Sequence, residues 1–547
     1  MKHKKAILRG AFLLTAAGFL SRIMGFFYRI FLSRSIGADG LGLYQMIFPV
    51  FALALSFTSA GLNTAVSHQV SRKNALGDKK GVWEVFFTGA VLSLLLSGFA
   101  AGSLWRCAGV LAETFLKDVR CEELLKYLAL SLPFASLHSI VTGCFIGRKK
   151  AGLPALSQLF EQAVRILSSL LLWQIFLKKE LSPSPLIAVG GILASEVLTS
   201  LFTLLLLLLQ SPVFPLPSPA VMKRNIERLS EIALPVSMNR CILGIFQSVE
   251  AVLIPLRLRL FGYTATEAYR HYGTLTGMAL PLVLFPSAIT GAVSLLLIPE
   301  ISEADALNDR QAILRTARNT VSGCLYLGIF CTGGFFLFGK ELGLFLFQSE
   351  EAGSYIRILG WICPFLYLGT TLASILNSLG KTTAVFFQNL LGILIRIFFV
   401  WFYIPRSGIS GCLLGLLISQ LVTALLSLRT LLKAVPEFEL STKDLLLPLL
   451  FLGWSLFLVM LADRILPVII SVPSPGSGTA PFLLFLRGGI FAASYTLSAF
   501  IRLEPMPAHH RHQNKPAPAL PLFYAAASAP RHRMPQVLPY ALTLRKA

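Results

Sequence analysis

The sequence predicts an all-α polytopic membrane protein with about fourteen transmembrane helices. Of its 547 residues, 55% are hydrophobic and only 14% are charged, a balance that excludes a soluble globular protein. Apolar segments long enough to cross a hydrocarbon core of about 30 Å recur along almost the whole chain. Because backbone polar groups in lipid must be satisfied within their own segment, we interpret these segments as helices.

The apolar segments form two sets of six and a final pair. The predicted spans are 8–31, 41–63, 82–107, 124–146, 151–177, 184–209, 232–255, 274–298, 321–346, 353–378, 385–405, 409–433, 444–468 and 480–502. The predicted domains are an N-terminal six-helix bundle (1–210), a cytoplasmic linker with an amphipathic segment (211–231), a C-terminal six-helix bundle (232–435), two additional helices (444–502) and a disordered tail (503–547). Proline, histidine and alanine dominate the tail and leave no helical period, which favours disorder.

The distribution of charge predicts the orientation in the membrane. The N-terminus begins like a signal peptide, but the apolar run continues to Phe31, so we expect an uncleaved first span. With a cytoplasmic N-terminus and an even number of spans, the cytoplasmic loops hold more Lys and Arg than the opposite side. The net charge of +22 therefore indicates topology and contact with anionic membrane lipids, not nucleic-acid binding.

The two sets of six spans carry a similar pattern at corresponding places. The segments GRKKAGLPALSQLFEQAVRILSSLLLW and GKTTAVFFQNLLGILIRIFFVWFY each combine a glycine-basic turn, an amide side chain and a late arginine, Arg165 or Arg396. A weaker similarity relates Arg22 to Arg240, because each lies early in its set of six spans. Because six is an even number, the two bundles would be parallel repeats related by an axis along the membrane normal. Chance recurrence of a short pattern is the alternative.

Four residues of the first span form one narrow stripe at about 100° per residue: Gly18, Arg22, Gly25 and Arg29. Glycines let a partner or ligand approach closely, whereas guanidinium groups inside a membrane need an anion or a water-filled cavity. Arg22 lies about 20 Å along the helix from residue 8 and reaches neither surface easily, which favours a functional role. Arg29 lies near the outer end, where snorkelling to the interface is the alternative.

Further charges lie within the predicted spans. Glu161 and Arg165 are spaced i,i+4 and can neutralise each other, so an ion pair and a ligand contact are both open. Arg240 lies near the cytoplasmic end of its span, where contact with lipid headgroups is the alternative to ligand binding. The remaining embedded charges are Glu196, Glu250 and Arg396.

Arginine outnumbers acidic residues inside the spans, so a central cavity would be electropositive. Such a cavity suits an anionic passenger such as a pyrophosphate, which arginine binds through two parallel hydrogen bonds. The eight cysteines include no CxxC motif and no cluster with histidine, so we expect no disulfide, no metal site and no cofactor. A membrane enzyme is expected to carry a DxD motif or an embedded His/Asp pair. His138 has no such partner in the sequence, so we do not expect an enzyme.

Three segments resemble a known family. The segment LSRIMGFFYRIFLSRSIGADGLGLYQMIFPVFAL is similar to the opening of the stage V sporulation protein B group. The segments SVEAVLIPLRLRLFG and ALPLVLFPSAITGAVSLLLIPEIS resemble the second-half signature of the same group. The group belongs to the polysaccharide-exporter branch of the multidrug/oligosaccharidyl-lipid/polysaccharide superfamily, which also contains the lipid II flippases. The resemblance covers residues 8–440.

The resemblance implies two six-helix bundles, additional C-terminal helices and alternating access around a central cavity. It also implies outward movement of lipid-linked cell-wall or polysaccharide precursors across the plasma membrane, in vegetative growth or in sporulation. In lipid II flippases, arginines of the first helix line the cavity, a pattern that Arg22 and Arg29 match. Glu250 stands where we expect aspartate in relatives. A coupling ion and the membrane potential are both open as energy sources.

We therefore predict a flippase or exporter for an anionic lipid-linked glycan precursor of the undecaprenyl-pyrophosphate type. The predicted substrate-binding residues are Arg22, Arg29, Arg165, Arg240, Glu250 and Arg396, and the predicted structural or ion-pairing residues are Glu161, Glu196, Gly18 and Gly25. A cation-coupled multidrug antiporter of the same fold is the first alternative, although organic cations call for buried acid where the first helix has arginine. An integral-membrane glycosyl- or acyltransferase is the second.

Overall fold

A computed structural model of the chain describes residues 2–210, 214–307, 309–439, 442–469 and 479–503. Throughout these residues the secondary structure is helical and contains no β-strand, so the predicted all-α class is confirmed. The predicted tail beyond Leu503 and residues 211–213 of the predicted linker lie outside the described residues.

The first half of the chain contains seven α-helices and six candidate spans. The helices are α1 (Lys2–Ser35), α2 (Gly37–Leu55), α3 (Gly61–Ala75), α4 (Lys79–Val110), α5 (Cys121–Gly147), α6 (Gly152–Lys178) and α7 (Leu186–Gln210). A π-helical turn, Ser56–Ala60, joins α2 and α3 into one span, and a second, Leu111–Leu116, extends α4.

The second half follows the same plan with more interruptions. Its helices are α8 (Pro219–Phe261), α9 (Ala265–Gly273), α10 (Leu280–Leu284), α11 (Ser287–Ala306), α12 (Arg310–Phe347), α13 (Glu350–Leu359), α14 (Cys363–Ser378), α15 (Thr382–Phe402), α16 (Ile404–Ser407) and α17 (Ile409–Ala434). Two further helices, α18 (Thr442–Ile469) and α19 (Thr479–Leu503), follow the bundle. Short turns at Thr274–Ala279 and Gly360–Ile362 join α9 to α10 and α13 to α14.

Within the described residues, twelve helical segments are long and apolar enough to cross a membrane. The number rises to thirteen if Ala265–Leu284 and Ser287–Ser294, which meet at a bend of 55°, form one broken span. Pro286 lies at this bend, where the missing backbone N–H removes a helical hydrogen bond. The predicted total of about fourteen spans stays a prediction.

Local sequence signals set several helix ends. The Asp78 side chain accepts a hydrogen bond from the backbone N–H of Gly81 at 2.7 Å and so caps the start of α4. Gly262 directly follows α8 with a φ angle of 118°, and Gly37, which follows α1 after Ile36, has a φ angle of 70°. Glycine adopts positive φ angles without the steric cost that a side chain adds, so a glycine lies just beyond the first helix of each half.

Corresponding helices pack in the same pairs in the two halves. Helix α1 packs on α6 as α8 packs on α15, α4 on α5 as α12 on α13, and α6 on α7 as α15 on α17. The arginines of the repeated sequence pattern, Arg165 and Arg396, lie on α6 and α15, which are corresponding helices. This pairing matches the parallel repeat predicted from the sequence.

The described residues of the two halves share a hydrophobic core at one end of the molecule. We name the end at which α1 terminates the distal end and the opposite end the proximal end. Distally, buried side chains of α1, α2, α4, α5 and α7 pack together with those of α8, α9, α12 and α15. Proximally, the buried residues form two separate cores, one for each half. The halves therefore share one core at the distal end, whereas at the proximal end each half has its own core and only α8 of the second half packs into that of the first among the described residues.

A close contact between two glycines joins the halves distally, where α2 crosses α9. A Cβ atom added at Gly42 would lie 2.1 Å from the carbonyl oxygen of Tyr269, and one added at Gly273 would lie 2.0 Å from that of Ala38. Gly42 and Gly273 are separated by the same number of residues as Ala38 and Tyr269. Arg165 and Arg396, the arginines of the repeated pattern, are separated by that number as well. The crossing is therefore symmetric: each half places a glycine against the backbone of the other.

Helix α8 is a single helix of 43 residues that contacts both halves. Its N-terminal turns pack on the first half through Leu229 and Ala233, which are buried in the proximal core of that half. Its later turns pack on α15 and carry Glu250. The helix runs without a break across residues 231 and 232, where the sequence predicts the boundary between linker and second bundle; the domain boundaries stay predictions.

Candidate functional site between the two halves

Arg22 lies in the middle of α1 and faces the second half. Its side chain is exposed although it belongs to a membrane-spanning helix. A Cβ atom added at Gly291 of α11 would lie 3.3 Å from Nη1 and 3.7 Å from Nη2 of Arg22. The missing side chain at Gly291 therefore leaves room for the guanidinium group beside α11.

Arg29 lies two turns further along α1 and also reaches the second half. Its Nη1 donates a long hydrogen bond of 3.5 Å to the carbonyl oxygen of Thr276, in the turn between α9 and α10. Tyr28 and Tyr44 are its polar neighbours in the first half. The Tyr28 hydroxyl lies 2.8 Å from Ser169 Oγ of α6, which fixes this part of α1 against its own bundle.

The two glycines of the predicted stripe have different surroundings. A Cβ atom at Gly25 would lie 3.5 Å from Nε2 of Gln162, so this side of α1 packs on α6. No atom lies within 4 Å of a Cβ atom added at Gly18. Because Gly25 faces α6 and Arg22 faces α11, the stripe lies over the groove between these two helices, where the halves meet.

Arg165 on α6 is held by acidic residues of its own bundle. It donates through Nη2 to Glu161 Oε1, the residue one turn earlier, so the i,i+4 contact expected from the sequence is present. The same Nη2 lies 3.6 Å from Oε1 of Glu196 on α7, and Nε donates to Ser195 Oγ at 3.3 Å. His138 of α5 completes the group, with Nδ1 3.9 Å from Oε2 of Glu196. Arg165 is therefore engaged within the first half in this conformation.

Arg396 on α15 forms a two-pronged ion pair with Glu250 on α8. Its Nε donates to Glu250 Oε1 at 2.7 Å, and its Nη2 donates to Oε2 at 2.9 Å. Both side chains are largely buried, with 17% and 13% of their surfaces exposed. The parallel geometry is the one in which a guanidinium binds a carboxylate most strongly. Two residues that the sequence predicts as substrate-binding are thus paired with each other here.

Arg240 lies early on α8 and is exposed. One turn later, Gly244 packs on the first half, where an added Cβ atom would lie 3.2 Å from Leu53 Cδ1 of α2. Residues spaced i,i+4 share a helix face, so Arg240 is on the face of α8 that is turned toward the first half. Asn239 and Gln247 are also exposed on this part of α8.

The predicted arginines therefore fall into two groups. Arg165 and Arg396 have carboxylate partners. Within the described ranges, no carboxylate lies within 4.0 Å of a nitrogen of Arg22, Arg29 or Arg240. The unpaired arginines line the contact between the halves, whereas the paired ones lie inside the bundles. An interface with unpaired guanidinium groups in a membrane can bind an anion such as a phosphate.

Sequence reasoning missed the contacts that cross between the halves. Gly291 and Thr276, which face Arg22 and Arg29, are apolar or weakly polar residues in long apolar runs and carry no signal of their own. A signal did exist for the Glu250–Arg396 pair, since each is an isolated charge inside a span and the two signs are opposite. The part of the chain that the structure describes holds no group of three or more His, Cys, Asp or Glu residues arranged to bind a metal.

Comparison with known proteins identifies the family. Residues 7–305 match the model of the polysaccharide biosynthesis protein family. The stage V sporulation protein B of Bacillus subtilis (strain 168) is 29% identical over 443 residues, which cover 79% of this chain and 85% of that protein. The lipid II flippase MurJ of the same organism is 26% identical over 421 residues, which cover 72% of this chain and 76% of that protein.

Solved structures show the same fold. A lipid II flippase MurJ in an inward closed conformation superposes with a TM-score of 0.69 and 16% identity over 90% of this chain and 98% of that chain. An inward-facing multidrug resistance MATE family transporter of the MOP superfamily superposes with a TM-score of 0.62 and 16% identity, over 79% of this chain and 100% of that chain. The resemblance expected from the sequence is thus confirmed, and the chain belongs to the polysaccharide biosynthesis protein family.

Proposed function

We propose that this protein is a flippase that moves an anionic lipid-linked precursor of cell wall or polysaccharide outward across the plasma membrane. The passenger is of the undecaprenyl-pyrophosphate type, and the mechanism is alternating access between the two halves. The lipid tail stays in the bilayer while the pyrophosphate crosses between the bundles. The similarity to a lipid II flippase and to a stage V sporulation protein supports this class of substrate.

The main support for the proposal is that Arg22 and Arg29 of α1 have no carboxylate partner among the described residues. An arginine at the centre of a bilayer costs about 3 kcal/mol on insertion scales, so an arginine without a carboxylate partner is expected to have an anionic ligand. Arg22 lies beside Gly291 of the opposite half, so its guanidinium group lies at the contact between α1 and α11. The two guanidinium groups on this side of α1, Arg22 and Arg29, supply positive charge that suits a pyrophosphate.

The packing of the halves supports a conformation that is ready for loading. The halves share a core distally and have separate cores proximally. With the predicted cytoplasmic N-terminus, the proximal end faces the cytoplasm, where lipid-linked precursors are built. The basic residues of the proximal loops would contact anionic lipids of the cytoplasmic leaflet.

The charges of the site support a multidrug antiporter of the same fold less well than they support a flippase for an anionic lipid. Organic cations need carboxylates that are free to bind them, whereas Glu161 and Glu250 are bonded to arginines and Glu196 lies 3.6 Å from Nη2 of Arg165. Arg22 and Arg240, which are exposed at the described interface, carry guanidinium groups that repel cations. The charge of the described interface therefore favours an anionic passenger.

Substitution of Arg22 tests the proposal. If the guanidinium binds a phosphate through two parallel hydrogen bonds, Arg22→Lys loses much of the activity and Arg22→Ala loses nearly all of it. A hydrogen bond to a charged group is worth about 1.5–3 kcal/mol, which is roughly ten- to a hundredfold in substrate affinity. The assay is outward exposure of lipid-linked precursor in cells depleted of their lipid II flippases, with membrane abundance measured by blot.

Arg106 provides the matched control. It is a second exposed arginine in a spanning helix of the first half, on α4. Arg106→Ala is expected to retain activity, because a lipid-facing or snorkelling arginine has no ligand to lose. Wild-type activity of Arg22→Ala at wild-type abundance would refute the anion-binding role, and an equal loss in both variants would assign the effect to insertion.

A further inference from the structure

A group of ionisable side chains lies inside the first half, apart from the unpaired arginines of α1. Two carboxylates, Glu161 of α6 and Glu196 of α7, share a single guanidinium group, that of Arg165. Arg165 donates directly to Glu161, while Glu196 lies 3.6 Å from the same nitrogen. The three side chains are mostly buried, with 21%, 10% and 21% of the surfaces of Glu161, Glu196 and Arg165 exposed.

The second half provides an internal comparison. The corresponding arginine, Arg396, has one carboxylate partner, and both oxygens of Glu250 accept hydrogen bonds from it at 2.7 and 2.9 Å. The Glu250–Arg396 pair is electrically neutral, and each oxygen of its carboxylate accepts a hydrogen bond. The group in the first half carries two carboxylates for one guanidinium, so it holds one negative charge in excess when both are ionised. Burying an unmatched charge is strongly unfavourable, and a bound proton removes it.

Among the described residues, no second permanent cation balances the excess, and His138 is charged only when it binds a proton. Helix α5 contributes His138, with Nδ1 3.9 Å from Glu196 Oε2 and Nε2 3.4 Å from Ser157 Oγ. Helices α1 and α2 contribute the hydroxyls of Tyr28 and Tyr44, which lie near both Arg165 and Arg29. Among the described residues, no Lys or Arg nitrogen other than that of Arg165 lies within 4.0 Å of either carboxylate.

A hydroxyl near Glu196 lacks a partner. Thr199 follows Glu196 by three residues on α7, so the two side chains share a helix face. Thr199 is fully buried, and its Oγ1 has no hydrogen-bond partner among the described atoms. An ionised carboxylate can only accept hydrogen bonds, whereas a protonated one also donates. Because the Thr199 hydroxyl can donate as well as accept, it suits Glu196 in either protonation state and does not by itself select the protonated form.

We propose that Glu161 and Glu196 bind one exchangeable proton between them, and that this proton sets the pH dependence of transport. When the proton leaves, the group gains a negative charge within the bundle that holds α1. That charge opposes entry of an anionic passenger beside Arg22 and Arg29. Transport is therefore expected to fall as the pH rises and the proton is lost. The role in transport rests on the proposed flippase function, whereas the proton site itself does not.

Infrared difference spectroscopy of the purified protein without lipid substrate tests the proton site. The wild type is titrated between about pH 5 and about pH 8, a range in which few ordinary carboxyl groups change state. We expect a protonated-carboxyl band to appear at the acidic end. It should be lost or shifted in Glu161→Gln and in Glu196→Gln. It should persist in the double variant Glu250→Gln/Arg396→Gln, which removes the neutral pair of the second half without leaving a buried charge, and in His138→Gln.

Each other outcome overturns the site. The site is refuted if the wild type shows no band, if the band survives in both Glu161→Gln and Glu196→Gln, or if it is lost in the folded double variant Glu250→Gln/Arg396→Gln. Using two glutamate variants keeps the test decisive if one fails to fold.

Transport measured against pH tests the role of the proton. Glu196→Gln, which imitates the protonated state, is expected to keep the activity that the wild type has at acidic pH across the whole range. A wild-type pH profile in Glu196→Gln refutes the coupling even if the infrared result supports the site. Absence of transport in the wild type refutes the flippase function and leaves the proton site standing.

Discussion

Replacing Gly273 with alanine is a direct way to disturb the joint between the halves. The added Cβ atom would lie 2.0 Å from the carbonyl oxygen of Ala38 and 2.5 Å from the backbone nitrogen of Gly42. The carbonyl oxygen and the nitrogen are backbone atoms of α2, and the added Cβ atom is bonded directly to the backbone of α9. Rotation of a side chain therefore cannot relieve the clash. Helices α2 and α9 must separate by roughly 1 Å or more before ordinary van der Waals contact returns.

The size of the effect follows from where the clash occurs. Overpacking by a methyl group typically costs 1–3 kcal/mol, that is about 2 kcal/mol at mid-range. The conformation that is closed distally bears this cost, whereas one in which α2 and α9 have moved apart does not. The equilibrium between the two should shift by roughly 5- to 150-fold toward distal opening. The insertion and folding of the bundles themselves should change little, because the clash lies between them.

Thiol labelling measures this shift. A cysteine at Thr276, one turn beyond Gly273 and next to Arg29, is placed in an otherwise cysteine-free variant. Intact cells are treated with a membrane-impermeant maleimide, and the labelling rate reports how often the distal end opens. Gly273→Ala should label faster than its parent. Gly98→Ala is the matched control, since no atom lies within 4 Å of a Cβ atom added there, and it should leave the rate unchanged. Equal rates in all three proteins would refute the role of the glycine crossing in distal closure.

Two further predictions concern topology and the buried ion pair. Single cysteines at Lys79 and Lys178 should differ in intact cells: an impermeant maleimide should label position 178 and spare position 79, and the reverse pattern would overturn the cytoplasmic N-terminus. Glu250→Gln should destabilise the detergent-solubilised protein by about 3–5 kcal/mol, because it leaves the Arg396 guanidinium buried without a carboxylate. Adding Arg396→Gln should recover part of the lost thermal stability, and additive losses in the double variant would show that the two side chains do not act as a pair.

The fold class and the separation into two bundles could be predicted from the sequence because they depend on one-dimensional signals. Span length, apolar composition and loop charge are each read from a single stretch of chain. The repeated arginines Arg165 and Arg396 were visible for the same reason. The π-helical turns could not be predicted, because they depend on how neighbouring helices pack, whereas the bend has a local signal in the sequence, Pro286.

The candidate site was predictable where its chemistry is local. The contact between Glu161 and Arg165 follows from i,i+4 spacing on one helix, and it is present. The Glu250–Arg396 pair joins residues 146 positions apart, and only the packing of α8 on α15 brings them together. Likewise, the stripe on α1 predicts that Arg22 and Gly25 face the same way, but not that Gly291 lies opposite Arg22. The binding role of the unpaired arginines stays a prediction.

The continuous α8 has a mechanical consequence for any switch between conformations. Its first turns belong to the packing of one bundle, through Leu229 and Ala233, while Glu250 ties its later turns to the other. A rocking motion that changes the angle between the bundles must either bend this rod or detach its first turns. Bending is easiest near Pro235, which lies within the helix and cannot donate the usual backbone hydrogen bond. Detaching would expose the Leu229 side chain, at about 1.5–3 kcal/mol. Part of the free-energy difference between conformations is therefore stored in a connection that lies outside the arginine-lined interface.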